Sequence, residues 1–418
     1  MEATTTQQPS PSGTIAATAA SSSTPVPAVQ SSAPTTFSAA APSPALSANP
    51  SQPAAAKPAP SKPPVSRPKP SSEPSPVKAD VSRIMGMEGF EGWGMGSGRL
   101  LYTNNAGKTW EVTTPDGIGA KDRLIAADFQ NTFLGFAYYL TDAKQPKLLA
   151  THRMQDGAGL PAGWETAALP TVEAWETARD VTTHSSFGLS YSDASYVPLT
   201  SSPALGQMNK SLYRTDDRGK SWTRVGDIAS GISGYPTGIT FRVPNEGWIT
   251  ATYHGQESFP LFRNKDGGKT WTVQHVDIPD EFKNGYADTL TPVFDQESNN
   301  HGLFIAQFVQ DGTKTYIPYE SRDSGDTWLP IKHRLTDVQA SPVYHFDNLI
   351  TGRAISTDGK TIYIMDTYNK EDWHKLIPVI ALKGASQFFL RMDGYGCVLL
   401  NGHTKITRDG GKTWTDPA

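Results

Sequence analysis

Thr407-Arg408-Asp409-Gly410-Gly411-Lys412-Thr413-Trp414 is the clearest copy of a turn that recurs along the chain. Thr215–Trp222 reads Thr-Asp-Asp-Arg-Gly-Lys-Ser-Trp, and Ser321–Trp328 reads Ser-Arg-Asp-Ser-Gly-Asp-Thr-Trp. Thr103–Trp110 keeps the pattern with Asn105 in the Asp place; Asn264–Trp271 keeps Asp266 and has Asn264 in the Ser/Thr place. The shared pattern is Ser/Thr-x-Asp-x-Gly-x-x-Trp, and five copies in one chain exceed chance. An Asp carboxylate accepts hydrogen bonds from the amides just ahead of it and caps a tight turn. The Gly two residues on supplies a positive φ. The Trp opens the next strand and faces inward, removing roughly 150–250 Å² from water, about 4–6 kcal/mol gross as an upper bound. Asn105, Trp110, Asp217, Trp222, Asp266, Trp271, Asp323, Trp328, Asp409 and Trp414 are therefore read as structural staples between strands, not as catalytic groups.

A second repeat lies upstream of each Trp: a short apolar strand holding Gly and then another residue, usually bulky. These are Gly92-Trp93, Gly135-Phe136, Gly188-Leu189, Gly247-Trp248, Gly302-Leu303, Gly352-Arg353 and Gly396-Cys397, matched downstream by Trp110, Trp164, Trp222, Trp271, Trp328, Trp373 and Trp414. Two units are degenerate: the second reaches Trp164 through Gln155-Asp156-Gly157, and the sixth runs Asp366 to Trp373 without its Gly. Phe129, Phe241, Phe346 and Leu390, six residues before a Gly, mark the innermost strand. Residues 83–417 divided by seven give about 48 residues per unit, the size of a four-stranded blade. The expected fold is all-β: a seven-bladed β-propeller over 81–418 whose blades carry the recurrent turns. Arg353 is the odd residue in its register, either paired with a carboxylate between blades or marking an alignment slip of one residue.

Residues 1–80 differ. They hold 17 of the 33 prolines and Phe37 as their only aromatic, and the rest is mostly Ala, Ser and Thr. Such a segment cannot bury enough apolar surface to offset its ordering entropy, so a disordered tether is expected. Its five basic and three acidic residues give +2; subtracting this from the whole-chain −4 leaves −6 for 81–418. With no Lys/Arg run there, nucleic-acid binding is not expected. There is no run of 18 apolar residues to suggest a transmembrane helix, and no leader is visible after Met1. Tethers of this composition space exported domains from a membrane or wall, so an extracellular or cell-envelope location is expected, with the cytoplasm as the alternative. Cys397 stands alone, no metal-ligand spacing occurs, and neither cofactor nor metal is expected.

In the four-stranded register, connections between strands one and two share a face with the recurrent turns. Connections between strands two and three, and between units, lie on the other face. Long insertions mark a working face. The longest, about Ser192 to Lys210, is read as the connection between strands two and three of the third unit and contains Tyr196. Trp175, Tyr196, Tyr235, Tyr253, His254 and Tyr286 are the candidate ligand rim, each alternatively covering an apolar edge. Asp193, Asp288, Asp295 and Asp347 are carboxylates a glycosidase could use, with nothing to select among them.

The turn motif resembles the Asp box, or BNR repeat, of sialidase-like β-propellers. Seven such units with Gly-Trp strands look like the photosystem II stability/assembly factor-like family of bacterial propeller proteins, over residues 81–418. That resemblance implies a binding or assembly protein without chemistry of its own, typically exported and often held to a membrane. Sialidases also use Phe/Tyr-Arg-Ile/Leu-Pro, and Phe241-Arg242-Val243-Pro244 is similar. In that family the motif precedes the first Asp box, whereas here it follows Trp110 and Trp222, and the repeat itself explains Phe241. The reading is a non-catalytic, exported or cell-surface module binding a protein or glycan, with a glycoside hydrolase as the competing class.

Overall fold

The computed structural model describes residues 81–418 except 114, 116, 130–133, 144, 153–163, 171–172, 179–187, 190–193, 204–207, 255–258, 284, 296–299, 333, 340–342, 347–349, 367–372, 392 and 418. The expectation of a disordered 1–80 lies outside these residues, as do Asp156, Gly157, Asp193 and Asp347.

Strands dominate, every ladder is antiparallel, and the helical elements among the described residues are two 3-10 turns, Ala174–Thr177 and Asp280–Phe282. Sheet one is β1 (Arg83–Glu88), β2 (Glu91–Gly96), β3 (Arg99–Thr103) and β4 (Glu111–Thr113). Sheet two is β5 (Arg123–Phe129), β6 (Leu134–Leu140), β7 (Pro146–His152) and β8 (Trp164–Ala168). Sheet three is β9 (Gly188–Leu189), β10 (Ser195–Thr200), β11 (Lys210–Thr215) and β12 (Thr223–Asp227). Next come β13 (Pro236–Val243), β14 (Glu246–His254), β15 (Leu261–Asn264) and β16 (Thr272–Val273). β17 (Tyr286–Thr289), β18 (Val293–Phe294), β19 (Gly302–Gln310), β20 (Thr313–Ser321) and β21 (Leu329–Pro330) follow. β14 pairs with β17, so these last two groups form one nine-stranded sheet. β22 (Val343–Phe346), β23 (Ile350–Ile355), β24 (Ile362–Asp366) and β25 (His374–Leu376) make a further sheet, and β26 (Ala385–Leu390), β27 (Gly396–Leu400) and β28 (His403–Thr407) another.

The recurring glycine at the start of the second strand has a steric cause. A Cβ there would strike the first-strand side chain lying across it: Met87 at Gly92 (2.1 Å), Phe129 at Gly135 (2.1 Å), Phe294 at Gly302 (2.6 Å) and Phe241 at Gly247 (2.7 Å). The ring takes the space a side chain would fill, and the neighbouring sheet seals it.

Each repeat unit packs on the next through a buried cluster. Trp93 and Tyr102 meet Phe129, Phe136 and Tyr138 meet Tyr213 and Trp222, and Tyr196 and Leu212 meet Phe241 and Trp271. Trp248 meets Phe304 and Trp328, Ile305 meets Ala354, and Ile362 meets Val398 and Trp414. The last sheet returns to the first: Cys397, Leu399 and Ile406 pack with Met87, Leu101 and Trp110. Two backbone-like bonds fasten that joint, with the Ile84 amide donating to Gln387 Oε1 and Gln387 Nε2 donating to the Ile84 carbonyl (3.0 Å). Fully buried Trp93 and Trp248 are worth roughly 3–5 kcal/mol each against Ala.

Two sequence registers need correction. In five units the second-strand glycine opposes the Ser/Thr/Asn position that opens the turn, as Gly92 opposes Thr103 and Gly247 opposes Asn264. In the third sheet the residue opposing Thr215 is Ser195, so β10 is the second strand and Gly188-Leu189 is the first. Ser195–Thr200 of the supposed Ser192–Lys210 insertion is therefore a strand, and the connection to β11 is 201–209. In the sixth unit Asp366 opposes Thr351, one residue before Gly352, so Arg353 sits one place beyond the bulky position. Its Nη1 donates to the carbonyls of Gly352 (2.9 Å) and Met365 (3.2 Å).

Candidate binding surface

The recurrent turns share one hydrogen-bond pattern. In the third sheet Thr215 Oγ1 accepts from the Gly219 amide (2.8 Å) and donates to Asp217 Oδ1 (2.7 Å). Asp217 Oδ1 accepts from the Ser221 amide (2.9 Å), and Oδ2 from the Ser221 hydroxyl (2.6 Å). Asp323 with Thr327 and Asp409 with Thr413 repeat these amide and hydroxyl bonds at 2.9 and 2.6 Å. Asp266 does the same with Thr270, while Asn264 Oδ1 takes the Gly268 amide at 2.7 Å. Asn105 Oδ1 accepts from the Thr109 amide (2.9 Å), and its Nδ2 donates to the Thr109 hydroxyl (2.7 Å). The hydroxyl just before each Trp is part of the device, a regularity present in the sequence but unused in reading it. These bonds, led by the Thr413 hydroxyl, pull the Asp409 carboxyl down to about 2. Every oxygen of these carboxylates accepts a hydrogen bond inside its own turn. Trp222, Trp271 and Trp414 donate their indole N–H to the carbonyl of the glycine three residues back (3.2, 3.0 and 2.9 Å). Trp110 donates to Thr404 Oγ1 across the first-to-last joint, and Trp328 is buried among Trp248, Phe294 and Phe304.

The turns share their end of the sheets with the connections between first and second strands. The amides of Ala106, Gly267, Ser324 and Gly410 donate to Phe90, Asn245, Asn300 and Gly394 in those connections. Arg242 lies at this end in an ion pair with Glu246, which also holds Arg263 (Nε 3.0 Å). Arg263 continues to Asp326 at 2.6 Å. The guanidinium of Arg242 is thus committed to a carboxylate within the protein.

The six rim candidates separate into two groups. Tyr196 is a correction: it is fully buried at the position equivalent to Trp93 and Trp248, stacked on Phe241 at 3.5 Å between ring centroids, with its hydroxyl donating to the Pro244 carbonyl (2.5 Å). Burial pushes its phenol up to about 12. Trp175, on the Ala174–Thr177 turn, is half-buried against the cluster between sheets two and three. That turn is anchored by Glu176, whose fully buried carboxylate meets Arg224 Nε at 3.1 Å. The other four lie on neighbouring strand ends. His254 pairs with Tyr286 and Tyr253 with Ala287 across β14 and β17, and the Tyr235 carbonyl accepts from the Thr252 amide (3.0 Å). Tyr235 is half-buried and Tyr286 is 60% exposed.

β14 starts at the turn end with Glu246 and finishes at the far end with His254, which places this corner on the face away from the turns. The hydroxyls of half-buried Thr237 and buried Thr289 lock it in place. Thr237 Oγ1 donates to the Thr289 carbonyl (2.6 Å), and Thr289 Oγ1 bonds the backbone of Ala251 (3.1 Å). β19 and β20 are nine residues each, joined at Asp311-Gly312 with φ of 49° and 76°. Asp-Gly between alternating strands is a strong hairpin signal that the sequence reading passed over. The row Asp288–Gln307–Tyr316 runs across β17, β19 and β20. Tyr316 donates its hydroxyl to Gln307 Oε1 (2.8 Å), and Gln307 Nε2 donates to Asp288 Oδ2 (3.3 Å). Asp295 lies beyond β18, its amide bonded to the His301 carbonyl (2.9 Å).

Among the described residues no group of three or more His, Cys, Asp or Glu side chains is placed to hold a metal ion, and no helix is long and apolar enough to cross a membrane. Cys397 is buried in the joint between the last and first sheets, and burial pushes its thiol up to about 12, which fits a packing role.

No family model matches this chain, and no curated protein is similar to it in sequence. Among solved structures it is similar to an ancestral GH74 enzyme at TM-score 0.50 and 11% identity, over 81% of this chain and 46% of that one. The chain thus spans about half of that enzyme's length. A PL25 ulvan lyase matches at TM-score 0.42 and 10% identity, over 69% of this chain and 80% of its own. The SapL1 lectin, solved with alpha methyl fucoside, matches at 0.35 and 13%, over 72% and 99%. Together with the sheet packing, the first of these likenesses shows a β-propeller-like, all-β fold.

Proposed function

We propose that residues 81–418 form a closed seven-bladed propeller with Asp-box turns, and that it acts as a non-catalytic, assembly-factor-like module binding a protein or glycan partner. The sequential packing of sheets and the shared turn geometry support the ring. One observation carries the function: β14 overruns its own sheet to pair with β17, which brings the backbone of Tyr235, Tyr253 and His254 beside the exposed Tyr286 at the end of the sheet away from the turns. Tight connections would suffice for folding alone, so an extension that displays an aromatic side chain supports recognition. The commitment of Arg242 to Glu246 and of the turn carboxylates to their own loops speaks against hydrolysis. In this reading residues 1–80 tether the propeller to the outside of a cell envelope.

The test is an assay of the purified full chain against a broad panel of fluorogenic glycosides, sialosides included. No turnover is expected. Turnover abolished by one Asp→Asn or Glu→Gln change would replace this reading with a glycoside hydrolase.

A further inference from the structure

We propose that the β17–β19 face holding Tyr286, Asp288 and Gln307 is a subsite for one neutral pyranose ring. The inference rests on the binding-module reading above and chooses a glycan over a protein as its ligand.

The strand period puts Tyr286 and Asp288 on one side of β17, while Ala287 (1%) and Thr289 (0%) point into the core. Two residues along a strand span roughly 6.6–6.8 Å, close to the width of a sugar ring with its hydroxyls. Tyr286 supplies a rigid, amphipathic surface for the C–H face of a sugar, ordered at low entropic cost because it has only two χ angles. Val309, its cross-strand partner, extends that apolar surface.

The polar half is oriented in advance. Tyr316 donates to Gln307 Oε1, so the Gln307 amide must point its N–H₂ toward Asp288, as its 3.3 Å bond to Oδ2 shows. That fixes the carboxylate. An ionised carboxylate has about four acceptor sites, so Asp288 keeps capacity for the hydroxyl donors of a sugar. Charged acceptors make the stronger hydrogen bonds, and a geometry set beforehand lowers the cost of binding. The same charge selects against uronic and sulfated sugars. Among the described side chains of the adjoining row the one cation is Lys314, across from Val309 and so two strands from Tyr286, about 10 Å, near the screening length at ordinary salt. Asp288 and Tyr286 are the contact groups; Gln307 and Tyr316 position them.

The full chain is titrated calorimetrically with cellobiose, lactose, maltose and diacetylchitobiose, and with a glucuronic-acid disaccharide and a sulfated galactose. At least one neutral disaccharide should bind, and the charged sugars should bind at least tenfold more weakly. Tyr286→Ala and Asp288→Ala should each weaken binding at least tenfold at unchanged melting temperature. Tyr286→Phe should retain it, and Tyr316→Phe should weaken it severalfold by freeing Gln307. Binding that survives both alanine variants would overturn this subsite while leaving a glycan-binding module intact. Binding of the charged sugars alone would overturn the neutral class. Binding of none would overturn this inference and leave the binding-module reading to a protein partner.

Discussion

Ser324 shows how much a single backbone position is asked to tolerate. Each recurrent turn places two successive residues at positive φ: Ala106 and Gly107, Arg218 and Gly219, Gly267 and Gly268, Ser324 and Gly325, Gly410 and Gly411. Three copies carry a side chain at the first of these, against a steric cost of roughly 1–2 kcal/mol. Ser324 is half-buried, and the bonds of its backbone amide to Asn300 and carbonyl to Arg263 do not need its hydroxyl. Ser324→Gly should therefore raise stability by about 0.5–1 kcal/mol, read as a higher urea midpoint at unchanged slope. At this scale the turn chemistry was legible, because Asp, Gly and Trp act on neighbours within eight residues. The role of Tyr196 was not: Ser195-Tyr196 stands where other sheets have glycine and a bulky residue, and only its pairing with Thr215 reveals that.

The turn as an element does more than reverse the chain. Its second glycine docks on the preceding unit: a Cβ on Gly219 would meet Ala150 at 2.7 Å and Phe136 at 2.8 Å, and one on Gly325 would meet Trp248 at 2.4 Å. Glycine is thus required for contact as well as for conformation. Gly98, at φ 70° with nothing within 4 Å of its Cβ, isolates the conformational part. Gly98→Ala should cost about 1 kcal/mol, and Gly219→Ala about 2–4 kcal/mol once overpacking of roughly 1–3 is added. Equal losses in chemical denaturation would show that the turn does not bear on its neighbour. The strand periods, the inner-strand markers Phe129, Phe241, Phe346 and Leu390, and the end shared by turns and first connections all followed from spacing. The overrun of β14 onto β17 did not, since nothing local separates a strand that pairs within its sheet from one that reaches the next.

For the whole molecule, the turn carboxylates act together on acid stability. Asp217, Asp266, Asp323 and Asp409 are all held below the ordinary carboxylate value; in the first three, burial opposes the shift and the hydroxyl and amide bonds outweigh it. A group depressed on folding contributes stability that is fully present above its unfolded value, about 3.9, and is lost as pH falls through its folded value, about 2 for Asp409. Melting temperature should fall steeply between about pH 4 and pH 2, and Asp409→Asn should flatten part of that fall. Asn105 shows that an amide can hold the same turn without titrating. The sequence by itself determined that this chain is all-β, that its repeats are strands stapled by recurrent turns, and which residues make the staples, because those hydrogen bonds and the two-residue strand period are local. Only the tertiary structure decided that Tyr196 belongs to the core, that Arg353 is one register off, that Gln387 closes last sheet on first, and that exposed Tyr286 and half-buried Asp288 share one side of β17 with the Gln307–Tyr316 row. Each of these depends on pairing between segments far apart in the chain, where many registers satisfy the same alternation and close packing selects one.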